Sequence, residues 1–547
     1  MSFFRSGRWT AFLPILLSAC TVSFVEAADF LRDLQSQAVT KNHAPWGYWG
    51  TDPGIYTGWT NHSNRLIPAY TFGISMEDFQ GDRSVYRDAK RLEQLYGRLP
   101  DQTLNPHAEY LDQTDIARLQ RAALVSGKKY VVLIIFDGMD WQTTQAAAIY
   151  KAGKVGYTEG RGTGLHFQDY RGTKTDFGYF VSSPASDATS IDVNAQTVLP
   201  ATANMYGGYN AQHGGAAPWA IGDDPAYLIG RSRECPHAVT DSAASATSLC
   251  AGIKTYNVSI NVGPHGRQVA PVSHEFQSKG YSVGVITSVP ISHATPACAY
   301  AHNVSRDDFQ DLTRDLLGLP SVAHRHEPLS GVDVLLGAGW GEVVEDDRKQ
   351  GTNFIPGNKY IASDDLQRID VRHGGNYRVV QREAGRNGPE ALATAADDAG
   401  QHGQRLFGFF GAKTGHLPFA TADGQYDPAV GVRKLAEVYS AEDRHENPTL
   451  ADMTRAALRV LSTNPRGFWL MVEAGEVDWA NHDDNLDNSI GAVMCGDAAF
   501  HAVTDWVEEH NCWNDTAVIL TADHGHYLHL TDPKALLEPA PPSGEGR

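Results

Sequence analysis

Beyond its N-terminal segment the 547-residue sequence has no apolar run approaching the roughly 18 residues that a membrane-spanning helix requires, so the mature chain is expected to be soluble or tethered by lipid. It has no internal repeat, heptad pattern or low-complexity tract, which argues against solenoids, coiled coils and disordered arrays. Cysteine is scarce, six in all, and no pair shows the CxxC spacing of a structural zinc module. Basic residues are outnumbered, 45 against 64 acidic, and the net charge of −19 would repel a nucleic-acid duplex or an anionic membrane surface. A phosphate-bearing ligand would therefore need local cations, and acidic side chains are what would hold metal ions. The serine-bearing segment TDSAASAT at residues 240–247 lacks the GxSxG nucleophile elbow. What remains is ordinary globular material, 42% hydrophobic, in a length that suits roughly three to four domains or one large domain with insertions.

The first residues combine Arg5 and Arg8 with an apolar stretch from Trp9 to Val25 and the small-residue end Val25-Glu26-Ala27, the pattern of a secretory signal over residues 1–27. Within it Leu17-Ser18-Ala19-Cys20 resembles a lipobox, which would instead end the signal at residue 19 and leave a lipid anchor on Cys20. Either reading exports the chain to a periplasmic or extracellular compartment, where disulfides are allowed. The other five cysteines cannot all pair. Proximity favours Cys235 with Cys250 and Cys495 with Cys512.

Five short apolar runs, Tyr130–Phe136, Ser282–Thr287, Val332–Leu336, Phe468–Val472 and Ala517–Thr521, read as strands buried on both faces. Amphipathic stretches at Thr114–Ser126 and Thr449–Ser462 read as helices that open on a capping residue. The alternation predicts an α/β fold with a doubly wound, mostly parallel sheet and helices on both faces. Residues 28–115 read as an N-terminal elaboration on a catalytic domain spanning 116–547. Stretches at about 155–230 and 320–460 read as insertions at the sheet's rim.

In such sheets ligands bind beyond the carboxyl ends of the strands. The residues there are Asp137 after the first run, His293 and Thr295 after the second, Glu473 and Asp478 after the fourth, and Asp523 and His524 after the fifth. Asp478 and His482 are spaced i, i+4, which puts both on one face of a helical turn and lets them share a metal. Mixed Asp/His ligation suits zinc, whereas an oxygen set such as Asp137, Thr295 and Glu473 suits magnesium. The segment Thr240–Thr247, TDSAASAT, places Ser242 among small residues at a helix start, where unpaired N–H groups suit a phosphate oxygen.

The motifs VVLIIFDGM, VTDSAASAT, ATPACAYAHNVSR, VEAGEVDWANHDDN and LTADHGH, in order from about residue 128 to 530, resemble those of the alkaline phosphatases. The resemblance implies hydrolysis of small phosphate monoesters through a phosphoserine on Ser242, with two Zn²⁺, one Mg²⁺ and a homodimer as a compatible assembly. It implies that Asp137, Asp523 and His524, with the Ser242 oxygen, hold one zinc, that Asp478 and His482 hold the other, and that Asp137, Thr295 and Glu473 hold the magnesium. Arg306 falls where the guanidinium that grips two phosphate oxygens is expected. His293, Asp241 and His526 would support these groups from behind.

One departure bears on function. The family's second zinc takes a third protein ligand, a histidine some forty residues after the Asp-His pair in the last strands of the sheet, yet here 23 residues follow His524. His526 and His529 are the only later histidines. Either the chain lacks its last strands or the Asp478/His482 metal is under-coordinated, and the latter would suit a catalytically impaired phosphate- or metal-binding protein. A sulfatase or phosphodiesterase of the same superfamily is disfavoured, because no C/S-x-P-x-R motif occurs.

Overall fold

The computed structural model describes residues 30–186, 190–199, 206–412, 415–433 and 436–537. The signal, lipobox and Cys20 readings lie outside these residues. The chain builds one ten-stranded sheet, whose strands in sequence order are β1 (Ile67–Phe72), β2 (Leu111–Asp112), β3 (Tyr130–Phe136), β4 (Thr175–Val181), β5 (Ser282–Pro290), β6 (Val334–Ala338), β7 (Tyr377–Gln381), β8 (Arg405–Phe409), β9 (Phe468–Ala474) and β10 (Thr516–Ala522). Their spatial order is β7-β8-β6-β5-β9-β3-β10-β1-β4-β2. Every adjacent pair is parallel except the two made by β1, which runs against both β10 and β4.

The strands predicted from apolar runs are all present. The central ones, β3, β9 and β10, are buried along almost their entire length, which is why their sequences lack alternation. Helices Trp141–Ala152, Gly388–His402, Leu450–Leu461 and Leu486–Glu509 pack together as one layer, and Asp115–Val125, Ser242–Ala251, Val272–Ser278 and Ala294–Cys298 form a second. The sheet is thus doubly wound, as expected. Leu450–Leu461 starts on a reciprocal cap, with the Thr449 hydroxyl accepting from the Asp452 N–H and the Asp452 carboxylate accepting from the Thr449 N–H.

Three expectations need correction. The stretches 155–230 and 320–460 are not merely rim insertions, because besides the expected β6 they contribute β4, β7 and β8 to the sheet. Their overall richness in Gly and Asp hid short flanking strands in which several positions remain partly exposed. Residues 28–115 are likewise more than a wrapping, since they supply β1 and β2, so the position beside β10 is filled by a strand from early in the chain. Finally, the five described cysteines are all free thiols. Cys250 is wholly buried within helix Ser242–Ala251. Cys495 sits in the middle of Leu486–Glu509, about 20 Å of helix rise from the end nearest Cys512.

Among the described residues no helix is long and apolar enough to cross a membrane.

Candidate active site

The parallel strands deliver their following residues to one rim. After β3 comes Asp137, then Gly138 at φ +71°, where a Cβ would stand 2.7 Å from the His526 ring and 3.1 Å from the Asp478 backbone. Only glycine allows the turn and the close approach together. Glu473 lies near the end of β9 and is followed by Gly475 and helix Glu476–His482, which puts Asp478 and His482 one turn apart. After β10 come Asp523 and His524. His293 and Thr295 follow β5, at the start of Ala294–Cys298.

Ser242 begins helix Ser242–Ala251, capped by Asp241, whose carboxylate accepts from the Ala244 N–H at 2.9 Å. The Ser242 hydroxyl lies 3.2 Å from His524 Nε2 and 3.4 Å from Asp137 Oδ1. His524 Nε2 is also 3.2 Å from Asp137 Oδ1, 3.5 Å from Asp523 Oδ2 and 3.9 Å from Asp478 Oδ1. Arg306 donates to Asp241 Oδ2 at 3.2 Å and lies 3.3 Å from His293 Nε2, so its fork is held at both nitrogens. Of the site residues read from the sequence, Ser242, His293, Arg306, Asp478 and His482 line a cleft of about 640 Å³, which Trp479 and Phe419 also line.

The sequence reading missed His62. Because β1 is antiparallel, it is the loop before it, and not the one after it, that reaches the active rim. Ser63 pairs with Gly525, locking that loop beside His524. The His62 ring stacks on that of His524 with centroids 3.8 Å apart. Its Nδ1 donates to the Thr240 carbonyl at 2.9 Å, while the Nδ1 of His482 donates to the Thr60 carbonyl at 2.6 Å. With both Nδ1 protons so committed, the two Nε2 lone pairs face each other at 3.0 Å, each 3.4 Å from Asp478 Oδ1. Lone pairs and a carboxylate converging on one point are a cation's coordination shell. His526 closes the far side, its Nε2 being 2.7 Å from the same oxygen.

The other donors tell the same story. Asp137 Oδ2, Asp523 Oδ2, Glu473 Oε1, Thr295 Oγ1 and the Nδ1 atoms of His293 and His524 are buried with no hydrogen-bond partner. Burial, reinforced by Asp478 and Glu473, drives the Asp137 carboxyl well above its ordinary range, and burial with Asp137 does the same to Asp523. Burial also pushes Glu473 up to about 8. Burial opposes ionisation of Asp478 as well, yet the surrounding imidazoles of His482, His526 and His62 hold it well below the usual carboxylate range. So many buried donors near one guanidinium fit divalent cations, in three overlapping groups: His62 and Asp478 with His524 and His526, with His482 Nε2 also beside Asp478; Asp137 with Asp523 and His524; and Asp137 with Glu473 and His293, beside Thr295.

A family model described as alkaline phosphatase matches residues 195–535. The chain belongs to the alkaline phosphatase family. Among curated alkaline phosphatases, it is 29% identical over 302 residues to alkaline phosphatase 4 of Bacillus subtilis, a match that covers 55% of this chain and 50% of that protein. It is 27% identical over 323 residues to the Escherichia coli enzyme, covering 56% and 62%. The chain therefore spans about half to three-fifths of these relatives. Among solved structures, a cold-active alkaline phosphatase from Shewanella sp. aligns at TM-score 0.42 and 20% identity over 73% of this chain and 68% of its own, and that of Thermus thermophilus at 0.43 and 19% over 73% and 60%. The family match starts after His62 and Asp137, so in this alkaline phosphatase homologue both belong to the stretch outside it.

The loop carrying His62 is clamped to the segment before Ser242. Asn64 accepts from the Thr240 N–H at 3.1 Å and donates to His237 Nε2 at 2.9 Å. His237 stacks on Tyr227 at 4.1 Å, and burial pushes its pKa down to about 3. It must stay neutral in the fold while the unfolded chain protonates it near pH 6.5. Between about pH 6.5 and 3 this histidine should therefore cost about 1.4 kcal/mol of stability per unit of acidification, with its contribution fully present above that window. Urea midpoints at pH 7 and 5 check this. His237→Gln should show a shallower decline, and an unchanged decline would refute the assignment.

Proposed function

We propose that this chain is an exported phosphomonoesterase that transfers a phosphoryl group first to Ser242 and then to water. The observation that carries the reading is the Ser242 hydroxyl, at the N-terminus of a ten-residue helix, within 3.4 Å of both His524 and Asp137 and beside the anchored fork of Arg306. Its Oγ attacks phosphorus in line, the ester P–O bond breaks, and the alcohol leaves with a proton. Water then attacks the phosphoserine, releasing phosphate and restoring the hydroxyl. Arg306 and the helix N-terminal amides hold the equatorial oxygens throughout. Asp241 fixes the guanidinium and caps the helix, so one carboxylate sets the geometry of both anion-binding groups.

His62, Asp478 and His482 are assigned to one zinc, Asp137, Asp523 and His524 to a second, and Asp137, Thr295 and Glu473 to magnesium, with His293 against that third site. Bound there, such cations supply Lewis-acid charge that lowers the pKa of hydroxyl and water and neutralises the departing oxygen. The reading of a non-catalytic binding protein rested on a missing histidine, and His62 stands beside Asp478 and His482 where such a ligand is needed. Purified protein should hydrolyse 4-nitrophenyl phosphate at alkaline pH with added zinc and magnesium, lose turnover to EDTA, and regain it on zinc addition. No turnover after reloading would overturn the proposal.

A further inference from the structure

Outside the catalytic cleft, the described residues hold one more cluster of metal-type donors: buried His302 and Asp315 and partly buried His324 each offer a ligand atom, and these atoms lie within 4.8 Å of one another. Three separate pieces of chain supply them. His302 follows helix Ala294–Cys298, Asp315 lies in helix Phe309–Leu317, and His324 lies in the loop beyond it. The Asp315 side chain is fully enclosed, whereas that of His324 is 13% exposed and gives the cluster its route to solvent.

The donors are prepared from behind. Asp315 Oδ1 accepts from the Ser321 hydroxyl at 2.5 Å and Oδ2 from the His302 N–H at 3.0 Å, which fixes the carboxylate plane. His302 is buried, with 5% of the residue exposed. Its Nε2 is 3.2 Å from the Val269 carbonyl, to which it donates, so the lone pair is left on Nδ1. That Nδ1 is buried with no hydrogen-bond partner. Burial, with His274 and His324 nearby, holds His302 down to about 3, so the imidazole is neutral and ready to ligate at physiological pH. His324 Nδ1 faces both carboxylate oxygens, at 2.9 and 3.0 Å.

We infer that His302, Asp315 and His324 form a further divalent-cation site, of zinc type, separate from the catalytic centre and independent of the phosphatase reading. Two imidazoles and one carboxylate are a zinc donor set, with water completing the shell. Ligation through His324 Nδ1 moves the ring proton to Nε2, which frees the Nδ1 lone pair for the cation while Asp315 stays a carboxylate ligand. The site would staple three segments just upstream and downstream of Arg306 without touching substrate.

The test is metal content of the full-length protein, dialysed against buffered zinc, for wild type, His324→Ala and His302→Gln. Each variant should hold one zinc equivalent fewer than wild type and lose the part of the zinc-dependent rise in Tm that this site provides, while kcat stays within about two-fold. His324 lies in a partly exposed loop, so its variant tests the site even where the buried His302 change disturbs folding. Equal zinc content in wild type and His324→Ala overturns the inference. The comparison counts a difference between two proteins, so it stands whether or not the catalytic centre turns over phosphate esters.

Discussion

Replacing Ser242 by alanine is expected to lower kcat/KM toward phosphate monoesters by at least about 10³-fold, the scale seen when a covalent nucleophile is removed from an otherwise intact site. Asp137, Asp523 and His524 keep their places without this hydroxyl, so zinc content should stay near that of the parent. Phosphate should still bind, because Arg306 and the helix amides remain. The substitution is sterically mild, since the helix already carries alanine at 243, 244 and 246. Rapid quenching with labelled ester should trap a phosphoprotein in the parent and none in the variant. Activity within ten-fold of the parent, or labelling that survives the change, would mean that another group is the nucleophile.

The second large effect concerns His62. Truncation to alanine takes one imidazole from the pair that faces Asp478 and leaves His482 with a lone pair and a single carboxylate. Changing groups merely behind a metal ligand typically costs 10–100-fold in affinity or activity, so losing a direct ligand should cost at least about 100-fold. The measured pattern should be one zinc equivalent lost and kcat/KM reduced at least about 100-fold, with partial recovery at high zinc. Near-UV circular dichroism should be unchanged, because Asn64 and the Ser63–Gly525 pairing hold the loop without help from the ring. A variant that keeps full zinc and full turnover would remove His62 from the site.

How much of this could be read in the sequence follows from strand direction. A parallel strand buried on both faces announces itself as a Val- and Ile-rich run, and its functional residues come just after it, so Asp137, Glu473, Asp523 and His524 were findable. Helical spacing exposed Asp478 and His482 in the same way. β1 offers no such signal. Its sequence, IPAYTF, contains a proline, and Pro68 is tolerated because the β10 ladder ends at Ala69 opposite Thr521. Nothing local marks the strand as antiparallel, and only that direction turns His62 toward the rim. The flanking strands β4 and β7 escaped notice for another reason, since their partly exposed positions interrupt the apolar run. The cysteine pairing failed because nearness in sequence says little once a long helix separates two thiols.

Anomalous diffraction at the zinc absorption edge, from crystals grown with zinc, tests the central claim most directly. Two strong peaks are predicted near Ser242, one bounded by His62, Asp478 and His482 and the other by Asp137, Asp523 and His524, each about 2.0–2.2 Å from its ligand atoms. Absence of any peak among these six side chains, with zinc bound elsewhere on the molecule, would contradict the account.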